Sequence, residues 1–160
     1  MNTIITRFLA ASALLLAMGN SLAADSGPST PPPAPDKLSA ARAQIEARNW
    51  PGAIAELKRV NDTGSADWNN LMGYSLRKGA TPDFAGAEKF YNEALRINPK
   101  HRGALEYSGE LYLQTGNLAK AEQRLAALDK ACTFGCEEYS DLKKAIAQYK
   151  ASGSTTSSSY

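Results

Sequence analysis

Cys132 and Cys136 are the only cysteines of the chain, four residues apart with Gly135 between them. Thiols at that spacing can close a disulfide across a bent loop, stay free, or contribute to a metal or redox centre. A metal would need two more ligands, and His101 is the only histidine. The amino terminus favours the disulfide, because it reads as an export signal, and exported chains meet oxidising conditions. Closing so short a ring stabilises by roughly 2 kcal/mol. His101 is also the only candidate for general-base work at neutral pH. No serine or cysteine stands in a nucleophile motif and no glycine-rich loop could cradle phosphate, so His101 reads as a surface histidine at a helix start. Glu106 and Glu110 are four apart, and on one helix face they repel by about a few tenths of a kcal/mol unless Arg77, Lys78 or Arg102 neutralises them. Nothing among these residues implies a cofactor.

The elements that hold these side chains are helices in pairs. Arg102 to Leu128 reads as two amphipathic helices joined at Thr115-Gly116-Asn117, with Gly116 stopping the first and Asn117 capping the second. Gly109 and Ala121 are small where two such helices would cross closely. Trp50, Phe84 and Leu118 are 34 apart, as are Ala53, Ala87 and Ala121. Leu57, Tyr91 and Leu125 follow, then Val60, Ala94 and Leu128. A short helix pair cannot bury its own apolar stripe, so repetition at this period predicts a stack of pairs. In the first helices Gly73 and Gly109 hold the small position, with Leu76 and Tyr112 three residues later, and Pro99 closes the second repeat. This pattern resembles the tetratricopeptide repeat over roughly residues 37–128. The resemblance implies an all-α, right-handed α-α superhelix of three helix pairs, followed by a capping helix.

In chain order, residues 1–23 read as a cleaved signal peptide. Arg7 supplies the positive start, Phe8 to Met18 the apolar run, and Ser21-Leu22-Ala23 the small residues before cleavage after Ala23, with Ala24 as the neighbouring choice. Residues 24–36 are a proline-rich linker. Repeats are expected at about 37–64, 65–99 and 100–131, with Asp36, Asn49, Ser65 and Thr81 as helix caps and Pro82 in the first turn after Thr81. Residues 137–150 read as the capping helix, with Tyr139, Leu142, Ile146 and Tyr149 on one face. The serine- and threonine-rich stretch 151–160 reads as a disordered tail. Lys and Arg number 18 against 16 Asp and Glu, too even a balance for phosphate contacts, so nucleic acid is not an expected partner. No apolar run beyond the signal is long enough to cross a membrane, so no stable insertion is expected after cleavage.

In the tetratricopeptide family the first helices line a concave face on which an extended peptide can lie. Carried over position by position, the resemblance offers Asn70, Tyr74, Arg77 and Lys78 from the second repeat, and Glu106, Glu110, Leu113 and Gln114 from the third. The family's clamp for a terminal carboxylate needs Lys and Asn in the first repeat, where Leu38 and Arg42 stand instead. The export signal, GYSLRK, HRGALEYSGELYL and the closing CxxxCEEYxDL together resemble small exported bacterial tetratricopeptide proteins. The function implied is a non-catalytic scaffold in the periplasm, or outside the cell, binding a protein or peptide. The other reading is an accessory chaperone or structural subunit of an envelope assembly that uses exposed helix edges and self-associates. Read as exposed charges, Arg77 and Lys78 should tolerate reversal in folding and lose only binding.

Overall fold

A computed structural model describes residues 35–153; the expected signal peptide, nearly all of the linker and most of the tail lie outside them. Seven helices follow one another: α1 (Ser39–Glu46), α2 (Trp50–Val60), α3 (Ala66–Lys78), α4 (Phe84–Ile97), α5 (Arg102–Gln114), α6 (Leu118–Ala131) and α7 (Glu137–Ala151). No strand occurs among the described residues.

The caps are side-chain acceptors satisfying the free N–H groups of each first turn. Asn49, Asp83 and Asn117 accept from Gly52, Gly86 and Lys120 at 3.2, 2.8 and 3.1 Å. These three residues are themselves 34 apart, so the cap belongs to the repeat. Two expected caps move accordingly. The cap of α4 is Asp83, not Thr81, and Pro82 precedes the helix, where its missing N–H costs nothing. Asp36 does not cap α1; its Oδ1 accepts from Leu38 N at 2.9 Å in a turn ahead of the helix, and Leu38 takes the cap position. α1 also stops at Glu46, two residues before Arg48, whose φ of 54° turns the chain towards Asn49.

Each helix packs on the next in sequence, and the first helices also pack on one another, α1 on α3, α3 on α5 and α5 on α7. Among the described residues the second helices α2, α4 and α6 make no such packing. Long polar side chains bridge the wider spacing instead, Lys120 to Glu88 at 3.2 Å and Arg124 to Asn92 at 2.9 Å. A close inner layer and a spread outer layer bend the stack, with first helices on the concave side. The repeated small residues permit this: Ala53, Ala87 and Ala121 are fully buried, and a Cβ on Gly73 would meet the Tyr91 ring at 2.9 Å.

α7 takes the place of a first helix in a further pair, against α5 and α6. It buries Leu142, Ile146 and Tyr149 on the cluster of Leu105, Tyr112, Leu113 and Leu128. Gly109 is small chiefly for its sake, since an added Cβ would come within 2.5 Å of Leu142 Cδ2. The loop before α7 brings Cys132 and Cys136 together as a disulfide-capable pair, their Cα atoms 5.7 Å apart.

Candidate functional site

The concave face is built by residues at equivalent places on α3 and α5, extended by α7. Asn70, Tyr74, Arg77 and Lys78 come from α3, and Glu106, Glu110 and Gln114 from α5; the structure brings them onto adjoining helices. Gly103, Glu106 and Glu110 share one stripe of α5 by their 3 and 4 spacing. Asn70 reaches across the seam, and its Nδ2 lies 3.1 Å from where a Cβ of Gly103 would stand.

Arg77 departs most from expectation. Its side chain is 2% exposed and sits in the seam, not on an open rim. Nη2 donates to Glu110 Oε2 at 2.7 Å and Nη1 to Gln114 Oε1 at 3.4 Å. Its carbon lies 5.6 Å from the Tyr74 ring centre and 5.8 Å from that of Tyr107, within cation–π range. The Tyr91 hydroxyl is beside it, and burial raises the Tyr91 phenol well above its ordinary value. Arg77 therefore packs towards Tyr91, and charge reversal there disturbs folding, whatever it does to binding. The expected test of reversing Arg77 and Lys78 together cannot separate the two effects. Lys78 is half-buried, its ammonium pushed down by burial and then by Arg77.

Leu113, offered to the groove by its register, is buried in the α5–α7 cluster. Glu106 is 8% exposed, and burial first, then Glu110 and Asp141, pushes its carboxyl up to about 8. Glu110 and Glu106 are thus unlike: one carboxylate is answered by Arg77, and the other stays protonated near neutrality. Tyr74 is the centre of an aromatic row, 5.9 Å from Trp50 and 4.7 Å from Tyr107 by ring centres.

Two contributors went unforeseen, and one expected residue has a different setting. Tyr107 stands one residue after Glu106, and its spacing of 4 from Gly103 already placed it on the same stripe. α7 adds Asp141, Lys144, Ala145 and Gln148, which with Glu110 line a cleft of ≈ 220 Å³. A capping helix viewed only by its apolar face hides that contribution. His101 is not a plain surface residue: its Nδ1 accepts from Ala104 N at 3.0 Å as the cap of α5, and its Nε2 lies 2.8 Å from Asp67 Oδ1. Both ring nitrogens serve to tie the start of α5 to the start of α3.

Residues 81–150 match the tetratricopeptide repeat family. No curated protein matches the chain. Among solved structures the chain is similar to the type III secretion chaperone SycD of Yersinia enterocolitica, crystallised with a peptide of the translocator YopD. The identity is 17%, the TM-score 0.60, and the match covers 72% of this chain and 88% of that one. Helix pairing, repeated caps and these likenesses agree: the chain has an all-α, tetratricopeptide-type superhelical repeat fold.

Proposed function

We propose that this chain is an exported, non-catalytic scaffold that holds an extended segment of another protein on its concave face. The observation that carries the reading is the open cleft where Glu110 of α5 meets Asp141, Lys144 and Ala145 of α7, with Arg77 joining Glu110 to the aromatic row through Tyr74. A groove with half-buried rings and oriented polar groups suits a peptide, whose backbone needs hydrogen bonds and whose side chains need pockets. SycD, similar in fold, was crystallised with a peptide, which supports the same use here. Export to the periplasm rests on the signal-like residues 1–23 and on the paired cysteines, in the manner of the small exported bacterial proteins that the closing CxxxCEEYxDL resembles.

One observation favours the other reading, docking through an exposed edge: Phe134, at the tip of the Cys132–Cys136 loop, is fully exposed. A photoreactive residue placed in turn at Tyr74, Phe134 and Arg96 of the outer layer distinguishes them in living cells. Cross-links concentrated at position 74 are the expected result. Cross-links at 134 alone would transfer the function to the loop, and equal labelling at 96 would remove both. The mass of the protein in the periplasmic fraction should correspond to a chain beginning at Ala24; an uncut chain in the cytosol would end the export proposal.

A further inference from the structure

The concave face holds one buried acceptor atom, Asn70 Oδ1, that no donor of the described chain reaches, and one mostly buried carboxyl, that of Glu106, without a partner there. Asn70 is 7% exposed, and its Oδ1 has no partner. Glu106, one turn beyond Gly103 on the stripe that Asn70 touches, is 8% exposed and makes no hydrogen bond or ion pair with any described residue. Buried acceptors normally find donors, and leaving them empty costs free energy unless a partner supplies the missing group. The charges around them define that partner. Glu110 is taken by Arg77 at 2.7 Å and Glu138 by Arg102 at 3.5 Å, while Asp141 on the cleft wall has no ion pair among the described residues. An incoming carboxylate would meet these acids and the unpartnered Asn70 Oδ1, and Glu106 could receive it only while protonated. A cation brings only donors.

We propose that Asn70 and Glu106 form a subsite for the lysine or arginine side chain of a peptide lying on this face. The inference rests on the reading of the face as a peptide groove and adds which residue the peptide must carry. It is opposite in sign to capture of a terminal carboxylate, in keeping with Leu38 and Arg42 at the first-repeat positions. The rings of Tyr74 and Tyr107, already faced by Arg77, offer further negative surface to a cation.

The groups facing Glu106 are Tyr74 and Arg77 from α3, Tyr107 and Glu110 from α5, and Glu138 and Asp141 from α7. Burial keeps the Glu106 carboxyl protonated up to about 8, so a cation must draw the proton off as it binds. Affinity therefore rises with pH below that value, by up to about tenfold per unit.

The test is a displayed library of random, unstructured peptides panned on the mature protein and on Glu106→Gln, which keeps the side chain's shape. A selected peptide is then compared with its norleucine analogue by fluorescence anisotropy at about pH 6.5 and about pH 8.5. The expected result is a recurring Lys or Arg, loss of about tenfold or more in affinity with norleucine or with Glu106→Gln, and tighter binding at the higher pH. Peptides that bind without a basic preference, or equally to both proteins, would overturn the subsite and leave the groove standing. A library from which nothing is selected would overturn both. The norleucine comparison uses the wild-type protein, so it stands even if the variant folds poorly.

Discussion

Arg77 is enclosed by Tyr74, Tyr107 and Glu110, and its removal strands the Glu110 carboxylate at the seam. Arg77→Met should cost about 3 kcal/mol, at the low end for a broken buried pair because Glu110 keeps some water. Urea unfolding measures this, and a loss below about 1 kcal/mol, the scale of an exposed pair, would show that the guanidinium is not enclosed. Glu106 gives a dependence on pH. Its folded value of about 8 lies above the ordinary 4.5, so between the two the folded state holds a proton that the unfolded chain has lost. The contribution of this residue is thus complete below 4.5 and falls as pH rises through about 8. Melting followed across that range should decline less in Glu106→Gln than in the wild type; parallel declines would show that Glu106 is not the source. Sequence spacing sets Glu106 and Glu110 on one stripe of α5, and the resemblance sets Arg77 on the helix beside it. Neither could show their burial, because burial is set by how closely α3, α5 and α7 approach, and that depends on side chains dozens of residues away.

Helix starts and crossings show what a repeat period does and does not specify. The acceptor at Asn49, Asp83 and Asn117 recurs at the same interval as the buried alanines, yet Thr81-Pro82 offered a competing start by local rules alone. Asp83→Ala should cost about 1 kcal/mol, with Asn49→Ala and Asn117→Ala close to it, while Thr81→Ala should be nearly silent. Chemical denaturation of the four variants checks the assignment, and a costly Thr81→Ala would restore the earlier start. At the crossings, the equivalence of Gly73 and Gly109 was legible but not what each one faces. Gly73 admits the ring of Tyr91 from its own pair, whereas Gly109 admits Leu142 from the helix beyond. Gly109→Ala should therefore lose about 1–3 kcal/mol by overpacking. Combining it with Leu142→Ala should cost less than the sum of the two single changes, since the clashing methyls are gone. Strict additivity would place α7 elsewhere.

At the scale of the molecule, the array is asymmetric at its ends. α3 and α5 are buried nearly all round, because each lies between two neighbours of its own layer and two second helices. α1 and α7 are one-sided, and they differ in what they bring. α1 buries Ala41, with Leu38 just ahead of it, against α2 and α3. α7 buries Leu142, Ile146 and Tyr149 against α5 and α6. At about 1.5–3 kcal/mol for each large apolar side chain, α7 supplies roughly 5 kcal/mol or more and α1 roughly 2. Small domains have about 5–15 kcal/mol to lose, so the first removal is decisive and the second is not. The helix also screens Leu105, Tyr112, Leu113 and Leu128, which truncation would open to water as one patch. A mature chain ended after Ala131 should lose its cooperative melt or self-associate in size-exclusion chromatography. A chain begun at Asn49 should keep the oligomeric state of the mature chain and melt cooperatively at a lower temperature. The opposite order of damage would mean that α7 rides on the array as an appendage. The concave face would then end at α5, and Asp141 and Lys144 would have no part in holding a peptide.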